Sequence, residues 1–197
     1  MNTVGTMDKG KLIVISAPSG TGKSTIIGEL MKCESLRLEF SISATTRKPR
    51  GNERDGVEYY FLEVDDFKKR IEREEFAEWH EVYKGRYYGT LKSEITRITG
   101  KGNNVILDLD VMGGVDVKRI YGDNALSIFI KPPSIETLRK RLLSRATDSI
   151  EDINNRVDKA ATELSFANKF DHCVVNDVLD DAVGEVKAII TSFVEKR

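Results

Sequence analysis

Lys23 closes the run "APSGTGK", in which Ala17, Pro18, Ser19, Gly20, Thr21 and Gly22 precede it and Ser24 and Thr25 follow. Glycines let successive backbone N–H groups curl toward one point, and the first turn of a following helix adds unpaired donors and the positive end of its dipole. Such a point attracts phosphate. The run fits the pattern GxxxxGKS except that Ala17 replaces the first glycine. Lys23 is then placed for the β- and γ-phosphates of a nucleoside triphosphate, and Ser24 for Mg²⁺. The flanks agree: Leu12 to Ile15 is short, apolar and partly β-branched, as a strand buried on both faces would be, and Ile26, Ile27 and Leu30 recur at helical spacing.

A second set of charged and hydroxylated residues fills "SISATTRKPRGNERDGVEYYF" (Ser41 to Phe61), where Pro49 stiffens the backbone between Arg47 and Arg50. Two guanidiniums three residues apart, with the Tyr59 phenol nearby, can surround a dianionic phosphate with charge-assisted bonds. A solvated basic loop is the plain alternative. The theme returns in "FAEWHEVYKGRYYGT" (Phe76 to Thr90), with Glu78 between Phe76 and Trp79 and with Tyr88 beside Gly89 and Thr90. A carboxylate there is either a rim residue or an acceptor for a ligand with two adjacent N–H donors, which guanine offers and adenine does not. A third set lies in "PPSIETLRKRLLSRATDSIEDINNR": Ile135, Leu138 and Leu142 form a core-facing stripe, while Arg141 and Arg145 share another face at i, i+4. Like charges so spaced repel unless an anion opposes them.

The elements that must position these residues alternate along the chain. Strand-like runs occur at "LIVIS", "VILDLD" (Val105 to Asp110), "LSIFI" (Leu126 to Ile130) and "HCVVN" (His172 to Asn176). Helical patterns cover Ser24 to Cys33, Leu91 to Thr99, Gly114 to Ile120, Ser134 to Arg145, Ile150 to Asn168 and Asp180 to Val194. This rhythm predicts an α/β fold, a parallel sheet core flanked by helices. From Phe40 to Thr90 the rhythm breaks into short aromatic-rich strands around one charged helix, Asp65 to Glu75. A small, mostly β insertion is expected there, overhanging the loop at Lys23 and offering a place for a second substrate.

Composition limits the classes of function. The chain has 197 residues, 40% of them hydrophobic, and a net charge of −1, so no overall basic field exists for nucleic acid or an anionic membrane. Cys33 and Cys173 lie far apart without metal-ligand spacing, which predicts a reducing, cytoplasmic setting. No apolar run approaches the length of a membrane span, and the first ten residues read as a loose leader.

Taken in order, "APSGTGKST", "SATTRKPR" with "GVEYYF", "EFAEWHEV", "YYGT", "ILDLD", "FIKPPS" and "VVND" resemble the guanylate kinase family from Lys11 to about Val194. The resemblance implies a P-loop NTPase-type core (11–40, 91–135 and 161–197), a GMP-binding insertion (about 41–90) and a helical lid (about 136–160). It implies transfer of the γ-phosphoryl group of ATP, with Mg²⁺, to GMP. On that reading Arg47, Arg50, Tyr59 and Tyr88 hold the GMP phosphate, and Ser43, Glu78, Thr90 and Asp110 face the guanine. Asp108 lies near the nucleotides and Mg²⁺, and Asn176 lies near the adenine. Arg141, Arg145 and Arg156 look like lid arginines, which with Lys23 and Arg47 make up the catalytic set. The chain departs from the family at Ala17, at Met112 where glutamine is frequent, at Ala146 where glycine is common, and by one extra residue near "VYKGRYYG".

The chemistry needs no histidine. A phosphate monoester has a second pKa of about 6, so at neutral pH GMP attacks without losing a proton to a base. Cations and positioning are what the reaction lacks in water. His80 and His172 are therefore read as structural or surface residues, and closure of the insertion and the lid is expected to exclude water. Two rivals are a different P-loop small-molecule kinase and a non-catalytic scaffold module. The first gives no reason for Glu78 with Ser43, and the second typically carries a degraded P-loop, whereas Gly22, Lys23 and Ser24 are intact here.

Overall fold

The computed structural model describes residues 10–144 and 149–196. In chain order the elements are β1 (Leu12–Ser16), α1 (Lys23–Met31), β2 (Leu38–Phe40), β3 (Ala44–Thr45), β4 (Tyr60–Phe61), α2 (Val64–Glu72), β5 (Phe76–Tyr83), β6 (Arg86–Leu91), α3 (Lys92–Thr99), β7 (Asn104–Leu109), α4 (Val111–Tyr121), β8 (Ala125–Lys131), α5 (Ile135–Ser144), α6 (Ile150–Leu164), β9 (His172–Val175) and α7 (Leu179–Glu195), with short 3₁₀ turns at Glu34–Leu36, Gly122–Asn124 and Ala167–Lys169. The described residues group into two compact units, 10–12 with Glu39–Ile106 and Ile13–Leu38 with 107–144 and 149–196.

A five-stranded parallel sheet has the order β2-β7-β1-β8-β9. Its middle strands read as continuous apolar runs because both faces are covered: Ile13, Val14, Ile15, Ile128, Phe129 and Ile130 are all fully buried. The sequence reading predicted four of these strands and missed β2. "LEF" is too short, and at Phe40 too exposed, to show a strand period.

Within the second unit α5 packs on α6 through Leu138, Leu142, Ile153, Val157 and Ala160, with Ile135 alongside. Helix α6 starts at a Ser149 cap that accepts from the Asp152 N–H at 3.1 Å. It ends at Leu164, four residues before the predicted boundary, and a 3₁₀ turn takes over at Ala167–Lys169. Helix α4 begins three residues earlier than predicted, since the Asp110 carboxylate caps it by accepting from Gly113 N–H at 2.7 Å. Gly114 is a packing requirement there, because a Cβ would run into Ser16 Oγ and the Phe170 ring.

The first unit carries a four-stranded sheet, order β4-β3-β6-β5, which realises the expected mostly β segment. Strands β5 and β6 form an antiparallel hairpin whose turn places Gly85 at φ +73°, a conformation that costs glycine little. Its core is Ala44, Phe67, Phe76, Tyr87 and Leu91, with Phe67 stacked on Phe76 at 4.3 Å and on Tyr87 at 5.4 Å between ring centroids. The charged helix is α2, Val64–Glu72, three residues shorter at its C-terminal end than predicted. Among the described residues no helix is long and apolar enough to cross a membrane.

Candidate active site

In the second unit the loop from Ala17 to Thr25 lines a cavity of about 370 Å³ together with Asp108, Asp110, Lys159 and Glu163. The loop's shape depends on two glycines with left-handed backbone, Gly20 at φ +92° and Gly22 at φ +93°. Thr21 is wholly buried and ties the turn by donating its hydroxyl to Pro18 O at 2.9 Å. Asn176 braces the loop from below: its Nδ2 donates to Thr21 O at 2.7 Å and occupies the space that a Cβ at position 22 would need.

Helix α1 starts on Gly22 with no side chain capping it. Its first-turn N–H groups and positive dipole end thus face the cavity mouth with the geometry of an anion site. Lys23 pairs with Asp108 and donates to Leu109 O at 2.9 Å. Both bonds hold its ammonium at the end of β7, and Ser24 lies exposed at the same cavity.

Two of the three predicted lid arginines are described, and each touches this region. Arg141 donates from Nη1 to Asn176 O at 2.8 Å and from Nη2 to Asp177 O at 3.2 Å. Arg156 Nη1 donates to Ser19 Oγ at 3.3 Å. Arg145 and Ala146 lie outside the described residues, as does most of the predicted leader. Among the described residues no three His, Cys, Asp or Glu side chains converge as a metal cluster. Ser24 and Asp108 nonetheless present oxygen donors at one cavity, which fits a hard cation that takes most of its ligands from phosphate and water.

In the first unit Arg47, Tyr59 and Tyr88 come together. Strand alternation sends Tyr87 inward against Phe67 and Tyr88 outward, where its ring meets Tyr59 edge-on at 6.1 Å. The guanidinium of Arg47 lies 4.8 Å from the centroid of the Tyr59 ring. It is only 8% exposed, and Glu53 grips it with two bonds of 2.6 and 2.7 Å. Glu53 also accepts from Arg50 N–H at 2.8 Å, so one carboxylate sets the turn that carries both arginines. Those bonds, first of all with Arg47, hold the Glu53 carboxyl down at about 2, and Glu53 in turn raises Arg47 above its usual range. Arg50 is exposed.

Glu78 is buried at 7% exposure on β5, directly opposite Thr90 of β6, and accepts that residue's hydroxyl at 2.7 Å. Ser43 is half-buried, and its carbonyl accepts from Tyr60 N–H at 2.9 Å. Gly89 of β6 has no room for a Cβ, since Glu78 O, Trp79 and Phe76 stand in its place.

Sequence reasoning missed Glu53, Glu94, Lys159 and Glu163. Glu94, 3% exposed, joins Ile42 N–H, Tyr60 OH and Arg97 behind β3. Burial pushes its carboxyl up, but Arg97 and the other donors outweigh that and leave it low. The acid at Glu53 within a basic loop was the one available signal. Asp110 and Asn176, assigned by resemblance to guanine and adenine, give polar side-chain atoms to helix capping and to the loop brace respectively. His172 is exposed, and neither histidine lines the cavity at Lys23.

The guanylate kinase family model matches residues 9–193. The chain is 55% identical over 186 residues to a guanylate kinase of Porphyromonas gingivalis, covering 94% of this chain and 99% of that one. It is 54% identical over 187 residues to one of Bacteroides thetaiotaomicron, covering 95% and 91%. The crystal structure of guanylate kinase from Anaplasma phagocytophilum superposes with a TM-score of 0.75 at 28% identity, covering 96% of this chain and 88% of that one. With the phosphate loop, its lysine and the Glu78 hairpin all in place, the chain belongs to the guanylate kinase family.

Proposed function

We propose that the protein transfers the γ-phosphoryl group of ATP to the phosphate of GMP, giving ADP and GDP, and that the residues assembled above carry the reaction. The observation that carries this reading is an intact Gly22-Lys23-Ser24 loop in a family member that also buries the Glu78 carboxylate beside Thr90. The loop N–H groups and the start of α1 receive the triphosphate, and Lys23 exchanges its bond to Asp108 for the β- and γ-phosphate oxygens. Ser24 and Asp108 would hold Mg²⁺, which supplies charge neutralisation at those oxygens when bound. Arg141, Arg145 and Arg156 add positive charge that grows in value as negative charge spreads in the transition state.

Arg47, Arg50, Tyr59 and Tyr88 receive the GMP phosphate. Arg47 spends two donors on Glu53 and one on Lys48 O and also bonds to Tyr88, which fixes the plane of its guanidinium where a phosphate oxygen would be received. Glu78, with Ser43 and Thr90, reads guanine by accepting its adjacent N–H donors, a pattern adenine cannot meet. Such a donor-acceptor match rejects the wrong base by about 10⁴ or more. GMP's phosphate attacks as the dianion, so no side chain has to take a proton from it.

The test is a coupled ADP-release assay with ATP, Mg²⁺ and GMP, with Lys23→Ala as control. GMP-dependent ADP release that Lys23→Ala abolishes is the expected result. No GMP-dependent signal from natively folded parent protein would overturn the reading and favour a non-catalytic module.

A further inference from the structure

Helix α6 turns one face to the core and an adjoining one to the phosphate cavity. Ile153, Val157 and Ala160 pack on α5, while Arg156, Lys159 and Glu163, at i, i+3 and i+7, share the neighbouring arc. Arg156 reaches Ser19 of the loop, and Lys159 and Glu163 line the cavity that the loop encloses. The three residues thus form a charged strip along the nucleotide side of the helix.

Within that strip the charges are unevenly placed. Lys159 Nζ lies 3.5 Å from Glu163 Oε1, and the lysine is 63% exposed whereas the glutamate is only 16% exposed. Burial pushes the Glu163 carboxyl up, with Lys159 as the first counterweight. The lysine is therefore the solvent-facing member and the glutamate the more buried one. A loose pair of this kind on a helix surface is a weak bond that a polyanion outcompetes. The other acidic side chains of the cavity already have partners, since Asp108 pairs with Lys23 and Asp110 caps α4.

We propose that Lys159 is a further phosphate-binding cation of the triphosphate site, parked on Glu163 until a polyphosphate enters and then transferred to it. The inference rests on the reading that a nucleoside triphosphate occupies the loop. In this arrangement Glu163 is the resting partner of Lys159, an anion that an entering polyphosphate displaces. From sequence alone Lys159 is an ordinary lysine on the polar side of an amphipathic helix, and only the cavity lining distinguishes it.

Calorimetric titration of ATP with Mg²⁺ into the parent, Lys159→Gln, Lys159→Arg and Glu163→Gln tests this. Lys159→Gln is expected to weaken ATP binding about tenfold, as loss of one charge-assisted contact does, while Lys159→Arg stays within about threefold. Glu163→Gln, which removes the lysine's competing anion, binds ATP at least as tightly as the parent. The proposal is overturned if Lys159→Gln binds ATP within about twofold of the parent, or if Glu163→Gln weakens binding as much as Lys159→Gln does. Because GMP is absent from the titration, a parent that binds ATP without phosphorylating GMP would refute the acceptor assignment and still decide the role of Lys159.

Discussion

Replacing Glu78 by glutamine tests base recognition with the smallest change of shape. The carboxylate is 7% exposed, sits opposite Thr90 and accepts its hydroxyl at 2.7 Å. Glutamine keeps one acceptor oxygen, which can retain the Thr90 bond, but its NH₂ opposes guanine's N–H donors. Loss of one charge-assisted hydrogen bond removes about 1.5–3 kcal/mol, and a buried donor left facing a donor adds about 1–3 kcal/mol. At 1.4 kcal/mol per factor of ten, the loss in kcat/KM for GMP is about 10²- to 10⁴-fold. Steady-state ADP release with GMP varied at saturating ATP measures it, and ATP binding followed by calorimetry should stay within about twofold of the parent. A folded Glu78→Gln protein whose kcat/KM for GMP stays within about threefold of the parent would refute the assignment of Glu78 to guanine.

Gly22→Ala should lower both the melting temperature and ATP affinity, because left-handed backbone costs a residue with a Cβ about 1–2 kcal/mol and that Cβ meets the Asn176 amide bracing the loop; an unchanged melting curve would contradict the brace. Burial pushes the Glu39 carboxyl up, but hydrogen bonds from Asn103, Lys101 and Arg97 overcome this and hold it at about 2 in the folded chain, against an ordinary value of 4.5. Its folded value is depressed, so the stability it contributes is present above pH 4.5 and is lost as pH falls toward 2. Denaturant unfolding at a series of pH values should show that loss in the parent and a shallower acid limb in Glu39→Gln. Truncating Leu142→Ala in the fully buried contact of α5 with α6 should cost about 2–5 kcal/mol of unfolding free energy, read as a shift in denaturant midpoint at constant slope.

How much was legible in the sequence follows from how local each signal was. The strand, glycine turn and helix around Lys23 could be read directly, since φ near +90° at Gly20 and Gly22 and the apolar run of β1 are properties of neighbouring residues. Which way the neighbouring Tyr87 and Tyr88 rings point is set by strand register, which sends the first to Phe67 and the second to Tyr59. The helix read from Gly114 begins instead at Val111, where the Asp110 cap starts it. Gly114 packs closely there against Ser16 and Phe170, which are distant in sequence. Glu53 on Arg47, Glu94 behind β3 and Lys159 at the cavity are tertiary facts. Each is a charged residue in a charged neighbourhood until the fold supplies its partner.

The most direct measurement is GDP formation itself, quantified by chromatography with ATP and Mg²⁺ as kcat/KM across GMP, AMP, CMP, UMP and dTMP. Turnover with GMP should exceed that with every other acceptor by about 10⁴. Equal turnover of AMP, or no diphosphate product from natively folded protein with any acceptor, would contradict it.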